Sequence, residues 1–456
     1  MEGELLVTRL WKKGVLLLSI MALLSGCFGS EAVLEELDKD GKGTLKVLTY
    51  EENYFFQEYG NAFSLQFPNI DIEVVETKDL FQQHSKTDGN DETLLTKLID
   101  EQQPDVLILA PNDYEKYAID GKLYNLEPII AQEQFDLEGY MVGLIDMVRE
   151  KGGGMLYGLA PHFRTEVIYY NSELFERHAI ELPKVGISWE ELFDLAARFE
   201  NTGMPGLYAG SENVEQMLYR IANAWSLQLF DAKGEKVLVE SDGWKQAYQL
   251  VTDAIRTDVL QVRKWEDPAN WLPANNLFLQ GNAAMTIGGT DFIHQLNDPR
   301  NKKASKMDWG FVPAPINPAH PNETSSATVY DYFVINEKSS NKRAAWEFIK
   351  YVNGPEMAKA SSSLYYKLPT RTGYIKSIQG KSTEALYDLQ IKNQKFEYAA
   401  KQIPNEFNGE YAQLREKVLR DIIENKKTVD EALAQLQQQA QAALQNARHG
   451  SGASKK

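Results

Sequence analysis

The sequence predicts an α/β protein of at least two domains built on central sheets, and three observations carry that prediction. Short apolar runs rich in β-branched residues alternate with longer segments of helical period. The chain has 456 residues, more than one hydrophobic core usually supports. Its only cysteine is Cys27, so no intrachain disulfide can staple the fold and ordinary cores must hold it.

The strand candidates, in order, are Leu45 to Thr49, Ile70 to Val75, Val106 to Leu109, Val167 to Tyr170, Ala284 to Ile287 and Tyr332 to Ile335. Helical stripes lie between and after them. Ser188-Trp189-Glu190-Glu191 reads as a capping box, the serine accepting from a free backbone N–H while the glutamate reaches back. Leu192, Leu195, Ala196 and Phe199 then form one apolar face. Lys342 to Val352 places Ala345, Trp346, Ile349 and Val352 together and stops at Gly354-Pro355. Thr428 and Glu431 repeat the capping box before Ala432, Leu433 and Leu436. Trp225, Trp244 and Trp346 fall on such stripes and read as packing, and Tyr169-Tyr170 reads as core with one exposed face. In folds that alternate strand and helix, ligands gather beyond the carboxyl ends of the strands.

The first 27 residues address the chain to a membrane surface. Arg9, Lys12 and Lys13 make a basic start, Val15 to Leu24 an apolar run, and Leu24-Ser25-Gly26-Cys27 a small-residue ending. The run is shorter than the roughly 20 residues that span a bilayer. The pattern resembles a bacterial lipoprotein signal, which implies cleavage after residue 26 and a diacylglyceryl group on the Cys27 sulfur. Residues 27–42 then read as a lipidated flexible linker. Asp38-Lys39-Asp40-Gly41-Lys42-Gly43 imitates the start of a calcium loop, but Lys42 and Thr49 stand where oxygen ligands are required. The chain carries 48 basic and 65 acidic side chains, a net charge of −17, and loss of the signal would make it about one unit more negative. Such a balance argues against nucleic acid as a partner and favours a monomer.

Five further fragments, in a fixed order, resemble one family. They are Pro104-Asp105-Val106-Leu107-Ile108-Leu109 with Gly121-Lys122-Leu123, and Ile168-Tyr169-Tyr170-Asn171-Ser172-Glu173-Leu174-Phe175 with Ser188-Trp189-Glu190-Glu191-Leu192. Then come Ala284-Met285-Thr286-Ile287-Gly288-Gly289, Ala344-Ala345-Trp346-Glu347-Phe348-Ile349-Lys350-Tyr351-Val352, and Leu368-Pro369-Thr370-Arg371. Together with the lipobox they resemble the family 1 extracellular solute-binding proteins that serve sugar ABC transporters, of which the maltose-binding protein is the familiar architecture. The resemblance implies a two-lobed periplasmic-binding-protein-like fold of type II with a ligand cleft between the lobes. It implies a first lobe of residues 43–162 and 316–352, a second of 163–315 and 353–447, and a disordered tail of 448–456. It also implies a lipid-anchored receptor on the extracellular face of a bacterial cell membrane. That receptor would capture a carbohydrate, of oligosaccharide size, and deliver it to ABC permease subunits with a cytoplasmic ATPase.

Loops at strand ends nominate the residues that meet the ligand. They are Tyr50 and Glu51 after the first strand, Asn112 and Asp113 after the third, and His162, Phe163 and Arg164 at the first crossover. Glu212, Asn213, Asp291, Tyr330, Asp331 and Tyr332 complete the set, with Tyr411 a weaker candidate. Sugars present apolar ring faces and hydroxyl edges, so flat aromatic rings beside carboxylates, amides and a guanidinium suit them. Members of the family often carry Trp after the Met-Thr-Ile strand. Thr290-Asp291 stands there instead, with Trp265 or Trp271 as possible substitutes. Arg164 is expected either to touch ligand or to pair with Glu166 or a carboxylate of the other lobe.

Catalysis finds no foothold: there is no Gly-x-Ser-x-Gly elbow, no His-Glu-x-x-His, no phosphate-cradling loop, and the six histidines lack ligand spacing. No catalytic residue, metal or cofactor is expected. The alternative readings are a secreted glycoside hydrolase, a receptor of the same fold for a non-sugar solute, or an adhesive lipoprotein. Glu51 and Glu52 could imitate a hydrolase pair, but neighbours on an extended strand point to opposite faces.

Overall fold

The computed structural model describes residues 34, 36–37, 40–80, 91–210, 212–262, 275–361, 367–392 and 403–453. Cys27 with the segment before it, and Trp265 and Trp271, lie outside the described residues. Every predicted strand is present. In chain order the strands are β1 (Gly43–Thr49), β2 (Ile70–Glu76), β3 (Val106–Leu109), β4 (Gly158–Leu159), β5 (His162–Phe163), β6 (Glu166–Asn171) and β7 (Leu207–Tyr208). They continue with β8 (Leu260–Gln261), β9 (Met285–Gly289), β10 (Trp309–Pro313), β11 (Glu323–Thr324), β12 (Tyr332–Ile335), β13 (Leu368–Pro369), β14 (Ser377–Ile378), β15 (Lys381–Ser382) and β16 (Gln390–Ile391).

Two five-stranded sheets result, one of order β2-β1-β3-β12-β4 and one of order β10-β6-β9-β7-β8. In the first, β1 and β2 run parallel in register from Gly43↔Ile70 to Thr49↔Glu76, and β4 runs antiparallel to β12. In the second, β6 is antiparallel to both β10 and β9, while β7 is parallel to β9 and β8. All four residues of β12 are buried, as expected of a strand covered on both faces.

The chain divides into two compact units. The first comprises Met1–Val106, Lys122–Asp136 and Ile335–Phe348; the second comprises Leu107–Gly121, Leu137–Val334 and Ile349–Lys456. Within the first, Asp105 is a polar node at 4% exposure. Its carboxylate accepts from the Lys46 N–H at 2.9 Å, from Ser339 Oγ at 2.6 Å and from Asn341 Nδ2 at 3.3 Å. Beside it Asn336 Nδ2 donates to the Pro104 carbonyl at 2.8 Å. Pro104-Asp105 thus ties the start of β3 to β1 and to the loop after β12. Phe348 closes the apolar side, its ring 5.1 Å from Phe63 and 5.7 Å from Phe55.

Within the second unit, Ile168, Leu207, Met285 and Ile287 from the sheet share one core with Phe199 from a turn and with Leu192, Met217, Ile221, Tyr248, Val251, Leu433 and Leu436 from helices. Each such side chain contributes roughly 1.5–3 kcal/mol on burial. The Ser188–Glu191 box starts helix Trp189–Ala197, with Glu191 N–H to Ser188 Oγ at 3.1 Å and Ser188 N–H to Glu191 Oε2 at 2.9 Å. Thr428 and Glu431 form the same reciprocal pair at 3.3 and 3.0 Å ahead of the long C-terminal helix. That helix, Val429–Ala453, runs past the point where the sequence analysis expects order to end. Among the described residues no helix is long and apolar enough to cross a membrane.

Candidate ligand-binding site

Three of the residues nominated in the second unit, His162, Phe163 and Arg164, lie on one short segment, and the Leu368-Pro369-Thr370-Arg371 motif holds that segment in place. Strand β13 pairs antiparallel with β5 through Leu368↔Phe163 and Pro369↔His162. Thr370 donates from Oγ1 to the Ala160 carbonyl at 2.5 Å and from its N–H to the Pro161 carbonyl at 2.9 Å. The buried Arg371 then donates from Nε to the Asn353 carbonyl at 2.6 Å while its guanidinium carbon lies 4.6 Å from the centre of the Tyr140 ring. On the other side of the segment, Phe333 of β12 pairs with Leu159 of β4. Residues 158–164 are therefore laced by two stretches remote in sequence.

Arg164 and Thr328 add the next rung. The Arg164 N–H donates to the Thr328 carbonyl at 2.9 Å and the Thr328 N–H to the Arg164 carbonyl at 2.8 Å. Tyr330, two residues on, comes diagonally within reach, and the Arg164 guanidinium carbon sits 4.8 Å from its ring centre. Tyr330 is 48% exposed. Asp331 follows, partly buried; burial pushes its carboxyl above the ordinary value, opposed by the positive charges of Lys367 and Arg164. Lys367 itself is buried.

His162 is polar but inward-turned. Its Nε2 lies 2.8 Å from Ser361 Oγ, whose own hydrogen goes to the Met357 carbonyl at 2.7 Å. The serine can only accept, so Nε2 carries the proton and donates. Burial, with the Lys367 charge adding to it, pulls the imidazole pKa down to about 3.

The Arg164–Glu166 pairing considered from sequence does not form. Glu166, at the start of β6, and Glu212 are both bound by Arg220 of helix Val214–Ala224, a residue the sequence analysis missed. Arg220 Nε donates to Glu212 Oε2 at 2.7 Å, and its terminal nitrogens reach Glu212 Oε1 and Glu166 Oε2. Burial works against both charges, pushing the Glu212 carboxyl up to about 7 and Arg220 down to about 10. Arg164 points elsewhere because its backbone pairing hands its side chain to Tyr330. Asn213 caps the same helix, its Oδ1 accepting from the Gln216 N–H at 3.0 Å.

The other nominated residues separate by burial. Phe163 and Tyr332 are each at most 1% exposed: Phe163 packs edge-on to Tyr387, and Tyr332 stacks 4.4 Å from Tyr114. Alternation along short strands does not say which neighbour faces inward, and here these two rings are committed to packing. Tyr411 is likewise buried, stacked 5.3 Å from Phe407. Tyr169 is fully buried, as read from sequence, and its hydroxyl donates to the Gly289 carbonyl at 2.9 Å. Asp291 is exposed after β9, and a Cβ on Gly289 would lie 2.3 Å from its Oδ1, so a larger residue there would require the Asp291 carboxylate to turn aside. Asn112 and Asp113 occupy the first turn of helix Pro111–Ile119.

In the first unit, Tyr50 is 54% exposed, and its carbonyl accepts from the Lys78 N–H at 3.0 Å. Glu51 pairs with Lys78 at 3.3 Å, and Lys78 also meets Glu76 at 3.3 Å. Glu52 begins a helix and donates its N–H to Glu76 Oε1 at 2.8 Å, so Glu51 by its side chain and Glu52 by its backbone join the same Lys78–Glu76 cluster.

A family model described as bacterial extracellular solute-binding protein matches residues 75–387. The chain belongs to that family. A binding protein of Brucella abortus (strain 2308) is 24% identical over 359 residues, covering 76% of this chain and 78% of its own. An ABC transporter extracellular-binding protein of Pyrococcus horikoshii is 22% identical over 359 residues, covering 74% and 76%. Among solved structures, the sugar-binding protein MalE from the phytopathogen Xanthomonas citri superposes with a TM-score of 0.64 at 18% identity, over 89% of this chain and 98% of that one. The fold is thus the mixed α/β fold of the two-lobed, MalE-like solute-binding proteins.

Proposed function

We propose that this chain is the lipid-anchored, extracytoplasmic receptor of an ABC-type importer and that its cargo is a carbohydrate of oligosaccharide size. The family match over residues 75–387 carries the reading, since proteins of that family bind solutes outside the cell. Delivery to an importer is supported by the name of the Pyrococcus horikoshii relative, and a sugar cargo by that of the Xanthomonas citri structure. The residues agree with a sugar: an exposed tyrosine ring, a guanidinium and a half-buried carboxylate within one short stretch provide a flat apolar face beside hydrogen-bonding groups. Cargo that binds one conformation of the receptor better than another would shift the population toward it, giving the permease a form distinct from the empty receptor.

A thermal-shift screen of the purified protein tests the cargo. Mono- and oligosaccharides, amino acids, polyamines and metal ions are compared at the same concentration. A ligand bound by the folded state alone adds RT ln(1 + [L]/Kd), about 2.7 kcal/mol at a hundredfold excess over Kd. We expect the midpoint to rise with an oligosaccharide. A response confined to another class would replace the cargo and keep the receptor.

A further inference from the structure

We infer that Tyr330 is the platform on which a sugar ring stacks, and that Arg164 is a positioning residue that holds this platform from behind rather than a ligand to the cargo. The inference rests on the carbohydrate reading above and assigns the parts within it.

Of the aromatic residues nominated in the second unit, Phe163, Tyr332 and Tyr411 are committed to packing, and Tyr330 alone keeps about half its surface in solvent. An exposed tyrosine ordinarily samples several rotamers, and fixing it on a ligand costs conformational entropy. Here the Arg164 guanidinium already lies over the ring at 4.8 Å from its centre, so a stacking sugar would take the opposite face. A guanidinium is planar and weakly hydrated, so it stacks on an aromatic ring where an ammonium would not lie flat.

Arg164 is suited to that task because its own backbone cannot wander. It is held by the two hydrogen bonds to Thr328, and residues 160–163 just before it are held by β13 and Thr370. The carboxylate two residues along, Glu166, is taken by Arg220 and does not draw Arg164 away from the ring. Asp331, whose carboxyl feels Arg164 and Lys367, stands next to Tyr330 in sequence as an acceptor for hydroxyl groups.

The test is a double-mutant cycle read by titration calorimetry with maltotriose, cellotriose and raffinose as probes, on wild type, Tyr330→Phe, Tyr330→Ala, Arg164→Ala and the double alanine variant. For the best probe, Tyr330→Phe should stay within roughly threefold of wild type and Tyr330→Ala should weaken binding roughly tenfold or more. Arg164→Ala should weaken it severalfold with Tyr330 present and not at all in the Tyr330→Ala background. Losses that multiply independently would make Arg164 a direct ligand and overturn its assignment as a prop. Wild-type affinity in Tyr330→Ala would overturn the platform while leaving the carbohydrate reading intact. No heat with any probe, alongside a thermal response to a non-sugar, would overturn both.

Discussion

At the scale of single residues, the surroundings of His162 make a prediction that can be read without any ligand. Its pKa is about 3 in the folded chain against an ordinary 6.5, so between those values the unfolded chain takes up a proton that the folded one refuses. Stability therefore falls as pH drops through that window, by up to ~1.4 kcal/mol per pH unit from this group. His162→Gln can still donate to Ser361 and cannot titrate. Its urea midpoint should lose less than that of wild type between pH 6 and pH 4; equal losses would show that His162 protonates without penalty. None of this was visible in the sequence. The neighbours that matter, Ser361 and Lys367, lie about 200 residues away and belong to no motif, just as Arg220 gave no sign that it would claim Glu166 and Glu212.

At the scale of elements, Asp105 shows what a short motif can mean. Its carboxylate collects donors from β1 and from the loop after β12, so Asp105→Ala leaves several buried polar groups without an acceptor. We expect a loss of about 3 kcal/mol in denaturant unfolding, with Asp105→Asn recovering part of it. A change below 0.5 kcal/mol would mean the node is decorative. Elements of this length were legible where period and chemistry coincide: among the described residues six of the seven strands of four or more residues fall on apolar runs singled out in the sequence, β10 being the exception, and Ser188–Glu191 and Thr428–Glu431 announce their helices. The two-residue strands β4, β5 and β13 carry no period at all, and the pairing of β4 with β12 and of β5 with β13 is what holds His162, Phe163 and the segment before Arg164 in place. The fold could be read in advance; the site's rigidity could not, because pairing partners are set by tertiary packing.

At the scale of the whole molecule, family membership fixes what kind of work is done, and the proposed tether fixes where. A diacyl group contributes about 0.8 kcal/mol per buried CH₂, enough for stable anchoring through two chains. Cys27→Ser should therefore release the protein from the membrane fraction and abolish acyl labelling; retention with labelling would rule out lipid on that sulfur. The lacing of residues 158–164 adds a matter of timing. Thr370 reaches back to Ala160 across 210 residues of chain. At about 5–20 residues per second of synthesis, Ala160 leaves the ribosome roughly 10–40 s before Thr370 exists. Throughout that interval the stretch ahead of Arg164 has no β13 to lie against, so the backbone proposed to carry the sugar platform is completed only with the last quarter of translation.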